Sequence, residues 1–129
     1  MKKQEKKPLV LAVEDEIALL KAIKSKLEKC NYEVITARTV KQAYHMVEDV
    51  QNIDAIWLDH YLPGKKNGLD LVIRLKSSEK YKKIPIFVVS NTAGPDKYYS
   101  YMKFGITKYY VKADMRLDKI VKDIDGLLK

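Results

Sequence analysis

The chain has 129 residues, of which 47% are hydrophobic, and this suits one compact domain with a full core. No apolar run reaches the roughly 20 residues of a membrane span, and Leu9–Val13 is too short for a secretory signal segment. The formal charge of +8 is dispersed and accompanies no nucleic-acid-binding motif. We therefore expect a cytoplasmic protein that does not bind nucleic acid directly. Its single cysteine excludes an internal disulfide.

Short apolar runs alternate with segments of helical periodicity five times along the chain. The strands are predicted at residues 9–13, 33–37, 55–59, 84–90 and 108–111. The helices are predicted at residues 17–29, after an N-cap at Thr39, at 69–78, at 95–105 and after an N-cap at Asp114. Residues 1–7 form a basic flexible arm in this interpretation, and residues 8–129 form the domain. The pattern predicts an α/β, flavodoxin-like, doubly wound parallel sheet of order 2-1-3-4-5 with helices on both faces.

Acidic side chains follow two strands that this order brings together. Glu14 and Asp15 follow strand 1 and Asp59 closes strand 3, where the ligand crevice of such a sheet lies. Carboxylates gathered at one point repel each other unless a cation neutralises them. Strand 4 ends in the hydroxyl of Ser90, and the ammonium of Lys112 follows strand 5. A carboxylate nucleophile, oxygen ligands for Mg²⁺, a hydroxyl and a lysine are the parts of a phosphoryl-transfer site.

The order of these motifs resembles the receiver domain of response regulators in two-component signalling, over about residues 8–128. The motifs that carry the resemblance are VEDE at 13–16, LDHYLPG at 58–64 with Gly68, VSN at 89–91 and GITKYYVK at 105–112. An acidic pair alone would be weak support, whereas five elements in order, each at a strand end, are specific. The resemblance implies a signalling protein that catalyses only its own phosphorylation and dephosphorylation.

The resemblance also implies a role for each acidic residue of the site. Asp59 accepts a phosphoryl group from the phosphohistidine of a histidine kinase or a histidine phosphotransferase. Asp15, Asp59 and the backbone carbonyl of Tyr61 bind Mg²⁺ directly, and Glu14 acts through a metal-bound water. The sequence by itself also allows Asp59 to be the cap of the following turn.

Three further residues take switch and contact roles by the same resemblance. Ser90 and Lys112 contact the phosphoryl oxygens. Tyr109 is the aromatic residue that moves inward as Ser90 engages the phosphoryl group, so the two form a switch. His45 and His60 lack the nitrogen or thiolate partners of a zinc site, and we interpret both as non-ligands.

The chain departs from the family pattern at four points. Ala113 replaces the usual proline, which leaves the geometry of the 112–113 peptide bond open. The loop that contains Lys65 and Lys66 is about one residue longer than usual. Asn91 replaces a small residue and should narrow access to Asp59. Tyr61 is bulky and lies beside the path of an attacking water, so we expect slow self-dephosphorylation.

The sequence ends at Lys129, directly after the last predicted helix, so we expect output through partner binding unless the chain is a fragment. The expected surface is helix 4, strand 5 and helix 5, which would bind a downstream protein or a second copy. This region is rich in tyrosine, at Tyr98, Tyr99, Tyr101, Tyr109 and Tyr110. Two alternatives stay open: a phosphorelay intermediate, and a non-phosphorylated binding module on the same fold.

Overall fold

A five-stranded parallel sheet lies at the centre of the computed structural model, which describes residues 6–91, 95–112 and 116–129. The strand order is β2-β1-β3-β4-β5, as predicted. The strands are β1 (Leu9–Val13), β2 (Glu33–Ala37), β3 (Ala55–Asp59), β4 (Ile86–Ser90) and β5 (Lys108–Val111). The helices are α1 (Ile17–Lys29), α2 (Val40–Asp49), α3 (Gly68–Lys76), α4 (Pro95–Lys103) and α5 (Leu117–Leu128).

Two hydrophobic cores cover the two faces of the sheet. Alternate residues of a strand point to opposite faces, so Leu11 of β1 packs into one core while Ala12 packs into the other. Buried side chains of α2 and α3 fill the first core, and those of α1 and α5 fill the second. The central strands β1, β3 and β4 are buried along their whole length, which explains their continuous apolar sequences.

Several predicted boundaries shift by a few residues, including the end of α4, which is Lys103 and not residue 105. Strand β4 begins at Ile86 and not at residue 84, because Pro85 has no N–H to donate and contributes only its carbonyl, which accepts from Ile56. Helix α3 begins at Gly68 and ends at Lys76. The N-cap position of α5 is Arg116. The predicted cap, Asp114, lies outside the described residues, and so does Ala113 with its peptide bond.

The predicted cap of α2 is confirmed, because the hydroxyl of Thr39 accepts a hydrogen bond of 3.0 Å from the Gln42 N–H. Lys6 and Lys7 at the start of the described chain are exposed. Among the described residues, no helix is long and apolar enough to cross a membrane.

The register of the sheet brings the residues of interest to one edge. Val13 pairs with Ala37 on one side and with Leu58 on the other, so the residues that follow β1, β2 and β3 are neighbours. On the other side of β3, Asp59 pairs with Val89, one residue before Ser90. The carboxyl ends of all five parallel strands therefore meet where the sequence predicted the site.

Candidate functional site

The carboxylate of Asp59 is buried at the end of β3, with an exposed fraction of 3%. Lys112 Nζ lies 3.3 Å from Asp59 Oδ1. The geometry is that of an ion pair and not of a directed hydrogen bond, and within the described parts of the chain Oδ1 has no hydrogen-bond donor. A buried acceptor without a donor is costly. The site therefore has a buried carboxylate oxygen that is paired with a cation but accepts no hydrogen bond from the described residues.

Lys112 connects the carboxylates of two strands. Its N–H donates to the Ser90 carbonyl at 2.7 Å, which holds the residue at the sheet edge beyond β5. Its Nζ donates to Glu14 Oε1 at 2.9 Å and also lies against Asp59. Burial opposes the charged ammonium, but the hydrogen bond with Glu14 and the charge of Asp59 outweigh it and raise the pKa of Lys112. The lysine is therefore held in its charged form.

The pKa of Asp59 lies above that of an ordinary surface carboxylic acid. Burial, and then the negative charge of Glu14, raise the pKa of Asp59 to about 6, although Lys112 acts against both. A carboxylate that is destabilised by burial and by a like charge favours an added cation. The same residue is thus both a candidate nucleophile and a candidate metal ligand.

The two acids that follow β1 point to different partners. Glu14 is buried, and its Oε2 also accepts a hydrogen bond of 3.0 Å from the Glu16 N–H. Asp15 is half-exposed and pairs with Arg38, whose Nη2 lies 3.3 Å from Asp15 Oδ1. Adjacent acids in sequence therefore serve two separate contacts, one inside the site and one at its rim.

The carboxylate oxygens at this edge of the sheet are of the type that binds a small, hard cation. Carboxylates of Glu14, Asp15 and Asp59 follow neighbouring strands, and carboxylate oxygen is the ligand that Mg²⁺ prefers. Across residues 6–91, 95–112 and 116–129, no three acidic, imidazole or thiol groups are arranged to hold a metal ion. Lys112 contacts two of the carboxylates and Arg38 contacts the third, so a bound cation would compete with these contacts.

Hydrogen bonds hold both ends of the loop that follows Asp59 next to the end of β3. The Gly68 N–H donates to the His60 carbonyl at 3.0 Å. Asn67 and Asp70 form a reciprocal capping box at the start of α3, with bonds of 2.8 and 3.2 Å. The loop from His60 to Asn67 therefore leaves and returns at fixed points next to Asp59.

Gly68 is required by close packing against this loop. A Cβ at position 68 would lie 2.8 Å from the Asp59 carbonyl oxygen and 2.7 Å from the Tyr101 hydroxyl. The first of these atoms is backbone at the site itself and cannot rotate away. We expect Gly68→Ala to destabilise the protein by about 1–3 kcal/mol, because the added methyl group displaces the end of β3.

Urea denaturation measures this effect, with Gly126→Ala as the matched control. A Cβ at position 126 of helix α5 meets no atom within 4 Å, and alanine favours a helix. The control should therefore be neutral or stabilising. Equal stability of Gly68→Ala and the wild type would contradict the packing argument.

A buried hydrogen bond links the residue after Asp59 to helix α4. His60 Nδ1 lies 2.6 Å from the Tyr101 hydroxyl, and both residues are buried. Burial, and then the charge of Lys97, lower the pKa of His60, which favours the neutral imidazole. This contact gives His60 a structural role.

The aromatic residues of α4 and β5 divide into buried and exposed groups. Tyr101 and Tyr110 are core residues, so their assignment to a partner-binding surface was wrong. Tyr98 and Tyr99 are 41% and 68% exposed. Tyr109 is half-buried and packs against Tyr98 and Tyr101, with ring centroids 5.8 and 5.7 Å away. It therefore joins the surface aromatic residues to the interior.

Tyr61 lies at the rim of the site and is 45% exposed. Lys97 of α4 donates to its hydroxyl and lies 4.2 Å from the ring centroid. The Tyr61 ring also packs edge-on against His60 at 4.8 Å. The side chain is thus held between His60, which follows β3, and Lys97 of α4.

Two functional contacts escaped the sequence reasoning. Arg38 contacts Asp15, and the signal was its place directly after β2, the neighbour of β1. Tyr101 contacts His60 across 41 residues of sequence, and no local pattern indicates such a pair. Of the residues predicted from strand ends, Glu14 and Asp59 both contact Lys112, whereas Asp15 pairs with Arg38.

Comparison with known proteins identifies the family of the chain. The family model described as "Response regulator receiver domain" matches residues 10–125. Chemotaxis protein CheY1 of Helicobacter pylori (strain ATCC 700392 / 26695) is 31% identical over 108 residues, covering 80% of this chain and 83% of that protein. Two-component response regulator ORR3 of Oryza sativa subsp. indica is 30% identical over 108 residues, covering 84% of this chain and 82% of its own.

Solved structures share the fold. Chemotaxis protein CheY4 of Vibrio cholerae superposes with a TM-score of 0.85 at 25% identity, covering 95% of this chain and 100% of that one. The Mn²⁺-bound form of response regulator Rcp1 superposes with a TM-score of 0.78 at 23% identity, covering 93% and 91%. The strand order and the family match agree, and the chain belongs to the response-regulator receiver domains of two-component signalling.

Proposed function

We propose that Asp59 accepts a phosphoryl group from a phosphohistidine on a histidine kinase or histidine phosphotransferase, in a reaction that requires Mg²⁺. The observation that carries the proposal is the buried Asp59 carboxylate, whose Oδ1 lacks a hydrogen-bond donor among the described residues and faces the ammonium of Lys112. A structural aspartate would normally have its acceptors satisfied. This one retains an oxygen for chemistry.

The transfer breaks one bond and forms another. An Asp59 carboxylate oxygen attacks phosphorus, an O–P bond forms, and the N–P bond of the phosphohistidine breaks. The electron pair of that bond returns to the imidazole nitrogen. Lys112 is placed to hold the negative phosphoryl oxygens, because its ammonium already lies 3.3 Å from Asp59. Ser90, buried at the end of β4, supplies a hydroxyl to the same group in this proposal.

The divalent cation would neutralise charge on the phosphoryl oxygens when it is bound. The residues proposed to hold it are Asp15, Asp59 and the Tyr61 carbonyl, with Glu14 acting through water. Their support is the oxygen chemistry of the set and the raised pKa of Asp59. Lys112 would then keep its contact with the phosphorylated side chain and release Glu14.

The test is an intact-mass measurement after incubation with Mg²⁺ and acetyl phosphate. Wild type should gain the mass of one phosphoryl group, whereas Asp59→Asn and wild type with EDTA should gain none. Asn matches Asp in shape but is not a nucleophile. Asp49→Asn is a matched control at an exposed position of α2 and should gain the group like wild type. No gain in folded wild type would favour the non-phosphorylated binding module.

A phosphorelay intermediate would use the same site residues, so a different experiment separates it. The protein is phosphorylated with a labelled phosphoryl group and mixed with a histidine phosphotransferase protein. The transfer of the labelled group between the two proteins is then followed with time. Rapid loss of label to the histidine would indicate a relay. Retention of the label until hydrolysis would support a terminal receiver whose output is partner binding.

The proposed output surface is the exposed part of α4, β5 and α5, and it binds a downstream protein or a second copy. Tyr98 and Tyr99 are exposed there, and Tyr98 packs on Tyr109. The route from the site runs through Tyr109, which also contacts the buried Tyr101 and through it His60. In this proposal Ser90 and Tyr109 move together when Asp59 is phosphorylated.

We expect Tyr99→Ala to weaken phosphorylation-dependent association by about tenfold, as loss of an exposed aromatic anchor does. The measurement is sedimentation of the phosphorylated chain, alone and with its partner once that is isolated. Ile73→Ala on α3 is the control, because Ile73 is also an exposed apolar residue and lies outside this surface. Unchanged association of Tyr99→Ala would place the partner elsewhere.

Tyr61 is predicted to prolong the phosphorylated state. The residue lies two positions beyond Asp59 in the sequence, its ring is held by His60 and Lys97, and in this proposal it restricts the approach of water to Asp59. We expect phospho-Asp59 to decay several-fold faster in Tyr61→Asn than in wild type, measured by loss of the phosphoryl mass with time. Equal or slower decay in the variant would contradict this role.

A further inference from the structure

Arg38 occupies the junction between β2 and α2, next to the predicted metal ligands. Ala37, the last residue of β2, pairs with Val13, the last residue of β1. The Glu14 N–H continues this pairing by donating to the Ala37 carbonyl at 3.0 Å. The residues that follow β1 and β2 are therefore neighbours, and Arg38 lies next to the acids that follow β1.

The guanidinium of Arg38 contacts both the backbone and the side chain of Asp15. Its Nε and Nη2 donate to the Asp15 carbonyl at 3.2 and 3.1 Å. Nη2 also donates to Asp15 Oδ1 at 3.3 Å. The backbone of Arg38 is itself fixed, because its N–H donates to Gln42 Oε1 at 2.8 Å. The planar fork of an arginine suits this double contact, and an ammonium would not.

A cation at the site and a guanidinium on the Asp15 carboxylate compete. The carboxylate can turn toward the metal only if Nη2 releases Oδ1, and the positive charge of Arg38 then stays near the cation. Both side chains are about half exposed, at 48% and 46%, so the pair is weak enough to be displaced. The two bonds to the Asp15 carbonyl can survive this change.

We propose that Arg38 is a positioning residue that holds the Asp15 carboxylate away from the metal position and lowers the affinity of the site for divalent cations. This inference rests on the proposed Mg²⁺ site. It adds Arg38 to the site, a residue outside the four sequence motifs that carry the family resemblance. Arg38 would therefore shift phosphorylation to higher concentrations of free cation.

The experiment measures cation affinity directly. Mn²⁺ is titrated into wild type, Arg38→Gln and Arg38→Ala at low ionic strength, and bound metal is read from loss of the free-ion electron paramagnetic resonance signal. Mg²⁺ is then added as a competitor. Both variants should bind Mn²⁺ about two- to fivefold more tightly than wild type, as displacement of an exposed ion pair allows.

Lys41→Gln is the matched control, because it removes one positive charge from an exposed position of α2, three residues from Arg38. It should bind Mn²⁺ like wild type, which separates the contact with Asp15 from a change of net charge. Equal or weaker binding by both Arg38 variants, with binding by wild type intact, would overturn the role of Arg38 alone. Absence of Mn²⁺ binding in wild type would overturn the proposed metal site as well.

Discussion

Lys112→Met is expected to destabilise the metal-free protein by about 2 kcal/mol at pH 7. The change leaves Glu14 and Asp59 buried side by side without the ammonium that now lies 2.9 and 3.3 Å from them. Removing one partner of a buried ion pair costs more than the pair itself contributes. Proton uptake by Asp59, whose pKa is already raised to about 6, limits the loss. Urea denaturation in EDTA measures it.

Lys108→Met is the matched control for this prediction, because Lys108 lies on β5 and its ion pair with Asp123 is at the surface. We expect a change below about 0.5 kcal/mol there. The Lys112→Met loss should also shrink when Asp59→Asn is present, since one of the two stranded charges is then absent. Equal losses for both lysines, or an unchanged loss in the double variant, would contradict the proposed charge cluster.

Asp59→Asn is expected to stabilise the metal-free protein by about 1–3 kcal/mol at pH 7. Burial and the charge of Glu14 raise the pKa of Asp59 from its ordinary value near 3.8 to about 6, and each unit corresponds to about 1.4 kcal/mol. The folded state therefore disfavours the ionised form. Asparagine fills the same space without the charge.

The pH dependence of this difference has a definite sign. Well below the ordinary aspartate pKa of 3.8, Asp59 is neutral in both the folded and the unfolded chain, so wild type and Asp59→Asn should be equally stable. As pH rises from 4 through 6, wild type loses stability relative to the variant, and the difference levels off above the folded pKa. Denaturation at several pH values in EDTA tests this, with Asp49→Asn as an exposed control. A difference that does not vary between pH 4 and 7 would refute the assignment.

The fold could be predicted from sequence because its signals are local and repeated. The runs that end at Val13 and Asp59 are fully buried strands, and apolar continuity is what burial on both faces requires. Chain order and alternation then fix the parallel sheet and its crevice. The convergence of Glu14, Asp59 and Lys112 follows from strand order alone, which is why residues far apart in sequence could be assigned together.

Contacts between side chains from different elements could not be predicted in the same way. Tyr101 looked like one of several surface tyrosines, but the inward face of α4 carries its hydroxyl to His60. The same packing explains why position 68 must be glycine. Arg38 reaches Asp15 only because the β1–β2 register aligns Val13 with Ala37. Each of these contacts depends on the packed geometry and not on sequence spacing.

The most direct test of the phosphoacceptor assignment is to locate the phosphoryl group on the chain. Wild type is incubated with Mg²⁺ and acetyl phosphate, the acyl phosphate is reduced with borohydride to an alcohol, and the modified residue is found by peptide mass spectrometry. Reduction at position 59 alone is the predicted result. Modification of Glu14 or Asp15 in its place, or no modification of the folded protein, would contradict the assignment of Asp59.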